Sequence, residues 1–200
     1  MRTIIMDTSN TYLVVALYEN DICIDYIQEM GNKKQSEYAL LYLKNILEKH
    51  NLKVLDIEEM IITIGPGSYT GVRVALTIAK TLAATTNIKV KAVSSLASYA
   101  GMSKAVSVLD ARSKKIFVGV YNNGKALIEE KLIDIVDFET FYKEYTEYPI
   151  VGHANLVNRT VSKVELYENI YQIAKLIRPI VDVDILVPHY IKGVEAKKLC

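Results

Sequence analysis

The residues best suited to chemistry in this 200-residue chain form the run Gly65-Pro66-Gly67-Ser68-Tyr69-Thr70-Gly71-Val72-Arg73. Three glycines and a proline within seven residues demand a tight turn with at least one backbone position at positive φ. The turn joins a strand-like run, Met60 to Ile64, to a helix-like run, Val72 to Ala84. Free N–H groups at a helix N-terminus suit an anion, and the same geometry suits close contact with another backbone. Both readings stay open. Ser68 and Thr70 carry hydroxyls, but no neighbouring histidine or acid supplies a base. Their position predicts that they bond the free N–H groups of the following helix, and no catalytic residue is assigned.

Two further sites carry carboxylates. Asp7-Thr8-Ser9-Asn10 closes a first strand, and Asp110-Ala111-Arg112 closes a later one. Each could face a nucleotide, yet neither has the glycine that lets a backbone hairpin wrap a phosphate. Asp7 reads as a strand-end residue capping the next turn, with a direct Mg²⁺ role as the alternative. Arg112 could bond Asp7 across a cleft as readily as it could bond a ligand. The histidines, His50, His153 and His189, are far apart in sequence. No His-x-x-x-His pair is present, and no metal site is assigned.

These residues need elements to position them. Strand-like runs cover Thr3–Met6, Tyr12–Tyr18 and Asp21–Glu29, with Glu19-Asn20-Asp21 as the hairpin turn between the last two. Ser36 is placed to cap a helix running to about His50. After the glycine loop and its helix come a strand, Lys89–Val93, and a short helix opened by Ser94 or Ser95. Strands first, then alternating helix and strand, predict a mixed sheet with helices on its faces. The second half repeats the first at an offset of 103 residues, which takes Asp7 to Asp110 and Tyr18 to Tyr121. The repeat predicts two related lobes, 1–103 and 104–200. In the second, a strand is expected over Ala126–Ile133, a short helix from Asp137 to Tyr145, a strand at Pro149–His153 and a helix over Thr160–Arg178.

Composition sets limits. Net charge is +1, so no overall field draws nucleic acid or an anionic membrane. Apolar runs are too short to span a bilayer, and Cys23 and Cys200 do not make a disulfide framework, which predicts a cytoplasmic protein. Tyrosines 142, 145 and 148 sit among Glu139, Glu144 and Glu147, a poor setting for stacking nucleic acid. Lys192, Lys197 and Lys198 read as a solubilising tail, with tRNA contact as the alternative.

Two helices carry more apolar surface than one sheet covers. In Tyr38–Leu47 and in Val72–Ala84 the apolar arc is roughly 200° wide, where one buried face needs somewhat over about 100°. Either the helices pack on each other, or they bury a second face against another protein. The partner surface then expected comprises Tyr38, Leu41, Tyr42, Ile46, Val72, Arg73, Ala75, Leu76, Ala79, Lys80 and Ala83.

The motifs Asp7-Thr8-Ser9, Gly65 to Arg73, Ser94-Ser95-Leu96, Asp110-Ala111-Arg112 and Pro188-His189-Tyr190-Ile191-Lys192 occur in the order seen in the bacterial TsaB (YeaZ) family, which the chain resembles over nearly its whole length. Gln35-Ser36-Glu37 departs from that family's common His-Ser-Glu. The resemblance implies an α/β duplicated fold like that of the actin, Hsp70 and sugar-kinase ATPases (ribonuclease H-like). It implies a non-catalytic subunit pairing with the catalytic paralogue TsaD, joined by the ATPase TsaE, in threonylcarbamoylation of adenosine 37 of tRNAs reading ANN codons. It implies no cofactor of the chain's own, with ATP or ADP at the interface of the complex, and a homodimer when the partner is absent. A small ATP-binding kinase or ATPase of the same fold is the alternative.

Overall fold

The computed structural model describes residues 1–31 and 35–191, without the side chains of Gln35 and Ser36. The proposed Ser36 cap and the lysines at 192, 197 and 198 therefore lie outside the described residues.

Strands β1 (Arg2–Asp7), β2 (Tyr12–Glu19) and β3 (Ile22–Met30) form an antiparallel meander. The β2–β3 hairpin turns on Asn20 and Asp21, both at positive φ, as its right-handed twist requires. Helix α1 (Gln35–Lys49) leads to β4 (Glu59–Thr63), helix α2 (Tyr69–Thr85) to β5 (Lys89–Val93), and helix α3 (Ser95–Ala100) closes the first half. Both β4 and β5 run parallel to β1, giving the order β3-β2-β1-β4-β5. Buried strands covered on both faces need continuous apolar runs, and Ile4–Met6, Leu13–Tyr18 and Met60–Ile62 supply them.

The second half rebuilds this plan at smaller scale. Strands β6 (Ala105–Arg112) and β7 (Lys115–Asn122) form an antiparallel hairpin. Two short strands, β8 (Lys125–Ala126) and β9 (Lys131–Asp134), both pair with β7. Helix α4 (Phe138–Tyr142) follows, then β10 (Ile150–Gly152), parallel to β6 as β4 is to β1, and helix α5 (Leu166–Ala174). The fold is thus the duplicated actin-like one, two mixed sheets flanked by helices.

Three apolar clusters hold the layers. Helices α1 and α2 cover one face of the first sheet. Helices α3 and α5 fill the space between the two sheets. Phe138 and its neighbours cover the outer face of the second sheet. After α5 the chain returns to the first sheet. Ile180 N–H donates to the Val90 carbonyl, Val183 and Leu186 join the α1–α2 cluster, and His189 N–H donates to the Ile64 carbonyl. No described helix is long and apolar enough to cross a membrane.

Two expected elements differ. The strand predicted over Ala126–Ile133 is broken between β8 and β9. The helix predicted over Thr160–Arg178 is shorter at both ends, as α5, and its late start follows from Gln28 of β3, which grips the segment before it. The Gln28 amide donates to the Val164 carbonyl (2.7 Å) and accepts from Leu166 N–H (2.8 Å), holding an extended approach.

Candidate functional site

The glycine loop closes on the Asp7–Asn10 turn. Ser68 N–H donates to the Ser9 carbonyl (2.7 Å), the Thr8 hydroxyl to the Gly71 carbonyl (2.5 Å), and the Asn10 amide to the Pro66 carbonyl (3.2 Å). A Cβ added at Gly67 or Gly71 would fall closer than 3.0 Å to the carbonyl of Ser9 or Thr8. Gly65, at φ +103°, passes its carbonyl to Ser95 N–H, and the Ser95 hydroxyl bonds that of Ser9 (2.8 Å). Of the two readings of the loop, close backbone contact is the one realised. Ser68 caps α2 by accepting from Gly71 N–H (3.2 Å), and the cap draws Tyr69 and Thr70 into the helix, three residues before its predicted start.

Asp7, Thr8 and Ser9 are buried beneath this joint. The Asp7 carboxylate accepts from Ser9 N–H (2.7 Å) and from the Thr63 hydroxyl (2.5 Å). Burial pushes this carboxyl above its ordinary range, and the two bonds pull it back. From this buried position Asp7 fixes the turn and the end of β4.

Asp110 repeats the motif: it accepts from Arg112 N–H (2.8 Å), as Asp7 does from Ser9, two residues on. Of the two alternatives for Arg112, a bond to Asp7 is not the one formed. Residues 112–114 all adopt positive φ, and this left-handed turn swings the guanidinium outward onto Asp110 (3.2 Å) with 88% of the side chain exposed. Contact between the halves comes instead from His153, which the sequence did not single out. Its Nδ1 accepts from Asp110 N–H (2.9 Å), so the ring proton sits on Nε2, facing the Thr11 hydroxyl of the first half (2.6 Å). Burial pulls the His153 pKa down, Asp110 raises it and Arg112 lowers it. Its partners lie 43 and 142 residues away, which hides them from any local reading. Among the described residues no group of three histidines, cysteines or carboxylates could share a metal.

The proposed partner surface divides in two. Ile46, Val72, Ala75, Leu76 and Ala79 are buried, all but Val72 within the α1–α2 cluster on the first sheet, which removes these five from an outer surface. Tyr38, Leu41, Tyr42, Arg73, Lys80 and Ala83 remain half-buried or exposed. Beside them the structure adds an open groove of ≈ 530 Å³ lined by Leu40, Tyr69, Thr70, Arg73, Val74, Thr77 and Ile78. Leu40 and Tyr69 are 59% and 48% exposed. With Leu41, at 44%, they are the most exposed large apolar side chains on these two helices.

A duplicated actin-like fold with a self-filled glycine loop and an open helix pair thus defines the class. A family model described as "TsaD: tRNA N6-adenosine threonylcarbamoyltransferase" matches residues 29–154. The chain is 34% identical over 140 residues to the tRNA threonylcarbamoyladenosine biosynthesis protein TsaB of Bacillus subtilis, covering 67% of this chain and 61% of that protein. It therefore spans less than two thirds of that relative's length. With TsaB of Escherichia coli it shares 28% identity over 128 residues, 60% of this chain and 55% of that one. YeaZ from Pseudomonas aeruginosa has the same fold, with a TM-score of 0.79 at 18% identity over 94% of this chain and 99% of that chain. The chain belongs to the TsaB (YeaZ) family.

Proposed function

We propose that this chain is a non-catalytic accessory subunit in the synthesis of N6-threonylcarbamoyladenosine at position 37 of tRNAs that read ANN codons. It dimerises with the catalytic paralogue TsaD through α1 and α2, works in the cytoplasm with TsaE as a third component, and meets tRNA through the complex. ATP or ADP, where held, sits at the interface of that complex. The names of the Bacillus and Escherichia relatives support the pathway. The observation that carries the mode of action is the pairing of a filled glycine loop with an open apolar helix pair. An ATPase needs donors facing a phosphate, and here the loop is spent on Thr8 and Ser9 while Asp7 is buried. A kinase reading therefore has no observation in its favour.

The experiment is threonylcarbamoyl transfer to tRNA by the purified partner enzymes, TsaD and TsaE among them, with and without this chain. Product dependent on the chain, and lost with Leu41→Asp, supports the reading. Equal product without the chain refutes it. Asp7→Ala is unsuitable as an inert control, since it would orphan the Thr63 hydroxyl and Ser9 N–H in the core.

A further inference from the structure

We infer that the groove beside Tyr69 receives a TsaD helix that brings a carboxylate between apolar side chains, and that residues 180–191 preset the cation that meets it. The inference rests on the partner reading above and specifies the chemistry of that contact.

The groove's walls are apolar, from Leu40, Val74 and Ile78, but its rim carries Arg73. The Arg73 guanidinium lies 3.8 Å from the centre of the Tyr69 ring, and its Nε donates to the Tyr190 hydroxyl (2.9 Å). The Tyr69 and Tyr190 rings stack, centroids 5.6 Å apart and 20° from parallel. Bonding to Tyr190 holds the Arg73 pKa above its ordinary value, and only tyrosines contribute to that rise. The cation is thus held over an aromatic face with no described carboxylate paired to it. An arginine held this way has already lost much of its rotamer freedom, so less is lost when a partner binds. Its fork of terminal nitrogens suits a carboxylate in two-point contact.

Tyr190 is itself held in place. The segment before it is anchored at Val90 through Ile180 and at Ile64 through His189, and the His189 ring faces Glu130 of the second half (3.4 Å). Glu130 in turn accepts from the hydroxyls of Ser94 and Tyr121. The strap therefore ties the groove's rim to both halves of the molecule.

The charge of α2 sets what it attracts. Helix α2 carries Arg73 and Lys80 and no acidic residue. Lys80 donates to the Asp184 carbonyl (2.6 Å), which satisfies a proton without cancelling the charge. Two copies meeting α2 to α2 would bring like charges together, whereas a partner helix edged with Asp or Glu is attracted.

The test titrates the full chain with TsaD encoded in the same genome, from low to high salt (~0.05 to ~0.5 M). Arg73→Gln should weaken binding about 10-fold and flatten its salt dependence, Arg73→Glu should weaken it about 100-fold, and Tyr190→Phe about 3-fold. The exposed position of Arg73 predicts unchanged melting for its variants, and Tyr190→Phe keeps the stack should Arg73→Glu fold poorly. Wild-type binding with Arg73→Gln indistinguishable from it overturns this inference and leaves the partner reading standing. Absence of wild-type binding overturns both. Self-association that Arg73→Glu abolishes, with TsaD binding untouched, assigns the groove to a second copy and also overturns the inference.

Discussion

Replacing Gly71 by alanine tests the central joint, because two physical effects predict opposite signs. Gly71 lies in the first turn of α2, where alanine is favoured over glycine by about 1 kcal/mol on helix propensity alone. Against this, the added Cβ would stand closer than 3.0 Å to the Thr8 carbonyl oxygen, where ordinary contact begins at 3.4 Å. Neither side can yield cheaply, since Thr8 is buried and Gly71 lies in a capped helix turn. Overpacking of this kind costs about 1–3 kcal/mol. Parting the backbones also strains the Thr8 hydroxyl–Gly71 carbonyl and Ser68–Ser9 bonds, each worth about 1 kcal/mol. The net loss is about 2–4 kcal/mol, a fall in Tm of roughly 5–15 °C for a chain of this size. Thermal unfolding followed by circular dichroism measures it, with Thr77→Ala on the exposed face of the same helix as the reference. A Tm at or above wild type for Gly71→Ala would mean that propensity wins and that the loop does not press on Thr8.

Three other outcomes are expected. Ala79→Glu places a carboxylate at a fully buried position, so it should lose about 3–5 kcal/mol and be recovered unfolded or aggregated, whereas a folded monomer merely deficient in partner binding would contradict the burial. Leu41→Asp, at a 44% exposed position, should leave urea unfolding within about 0.5 kcal/mol of wild type while lowering TsaD affinity at least ~10-fold by calorimetry. The third concerns pH. The folded-state pKa of His153 lies below its ordinary 6.5, so the unfolded chain takes up the proton first; its contribution is whole above pH 6.5 and is lost as pH falls below that value. Protonated Nδ1 would also oppose Asp110 N–H. Subtracting the stability curve of His153→Gln from that of wild type should expose this slope, and parallel curves from pH 7.5 to 5 (a range of roughly one unit above and more than one below) would remove His153 from the joint.

The first sheet is legible because β1, β2 and β4 are buried and read as near-continuous apolar runs, and the strand expected at Lys89–Val93 matches β5 to the residue. The turn chemistry of Asn20-Asp21 and the cap at Ser94 were equally local. What failed depended on direction. A 200° arc reports how wide an apolar face is and not which half of it looks inward. Ala75 and Ala79 accordingly fell on the sheet side, while Leu40 and Tyr69 took the outer side. The apolar run starts the expected helix at Val72, whereas the Ser68 cap draws Tyr69 into its first turn. Sequence leaves Arg112 open between Asp7 and a ligand, and the three-residue left-handed turn at 112–114 that sends it to Asp110 has no glycine to announce it. The Gln28 clamp that shortens the last helix acts over more than 130 residues and leaves no local trace.

The strap from Ile180 to Tyr190 also imposes an order of events during synthesis. On the ribosome the first sheet and α2 emerge early, but Tyr190 arrives almost a hundred residues after β5 is complete. Until then β5 lacks its contact at Val90, Ile64 lacks its donor, and Tyr69 and Arg73 lack the ring and hydroxyl of Tyr190. N-terminal units generally fold first as a chain emerges. Here that early unit displays an unfinished rim, and the hold on Arg73 is complete only once the strap has arrived.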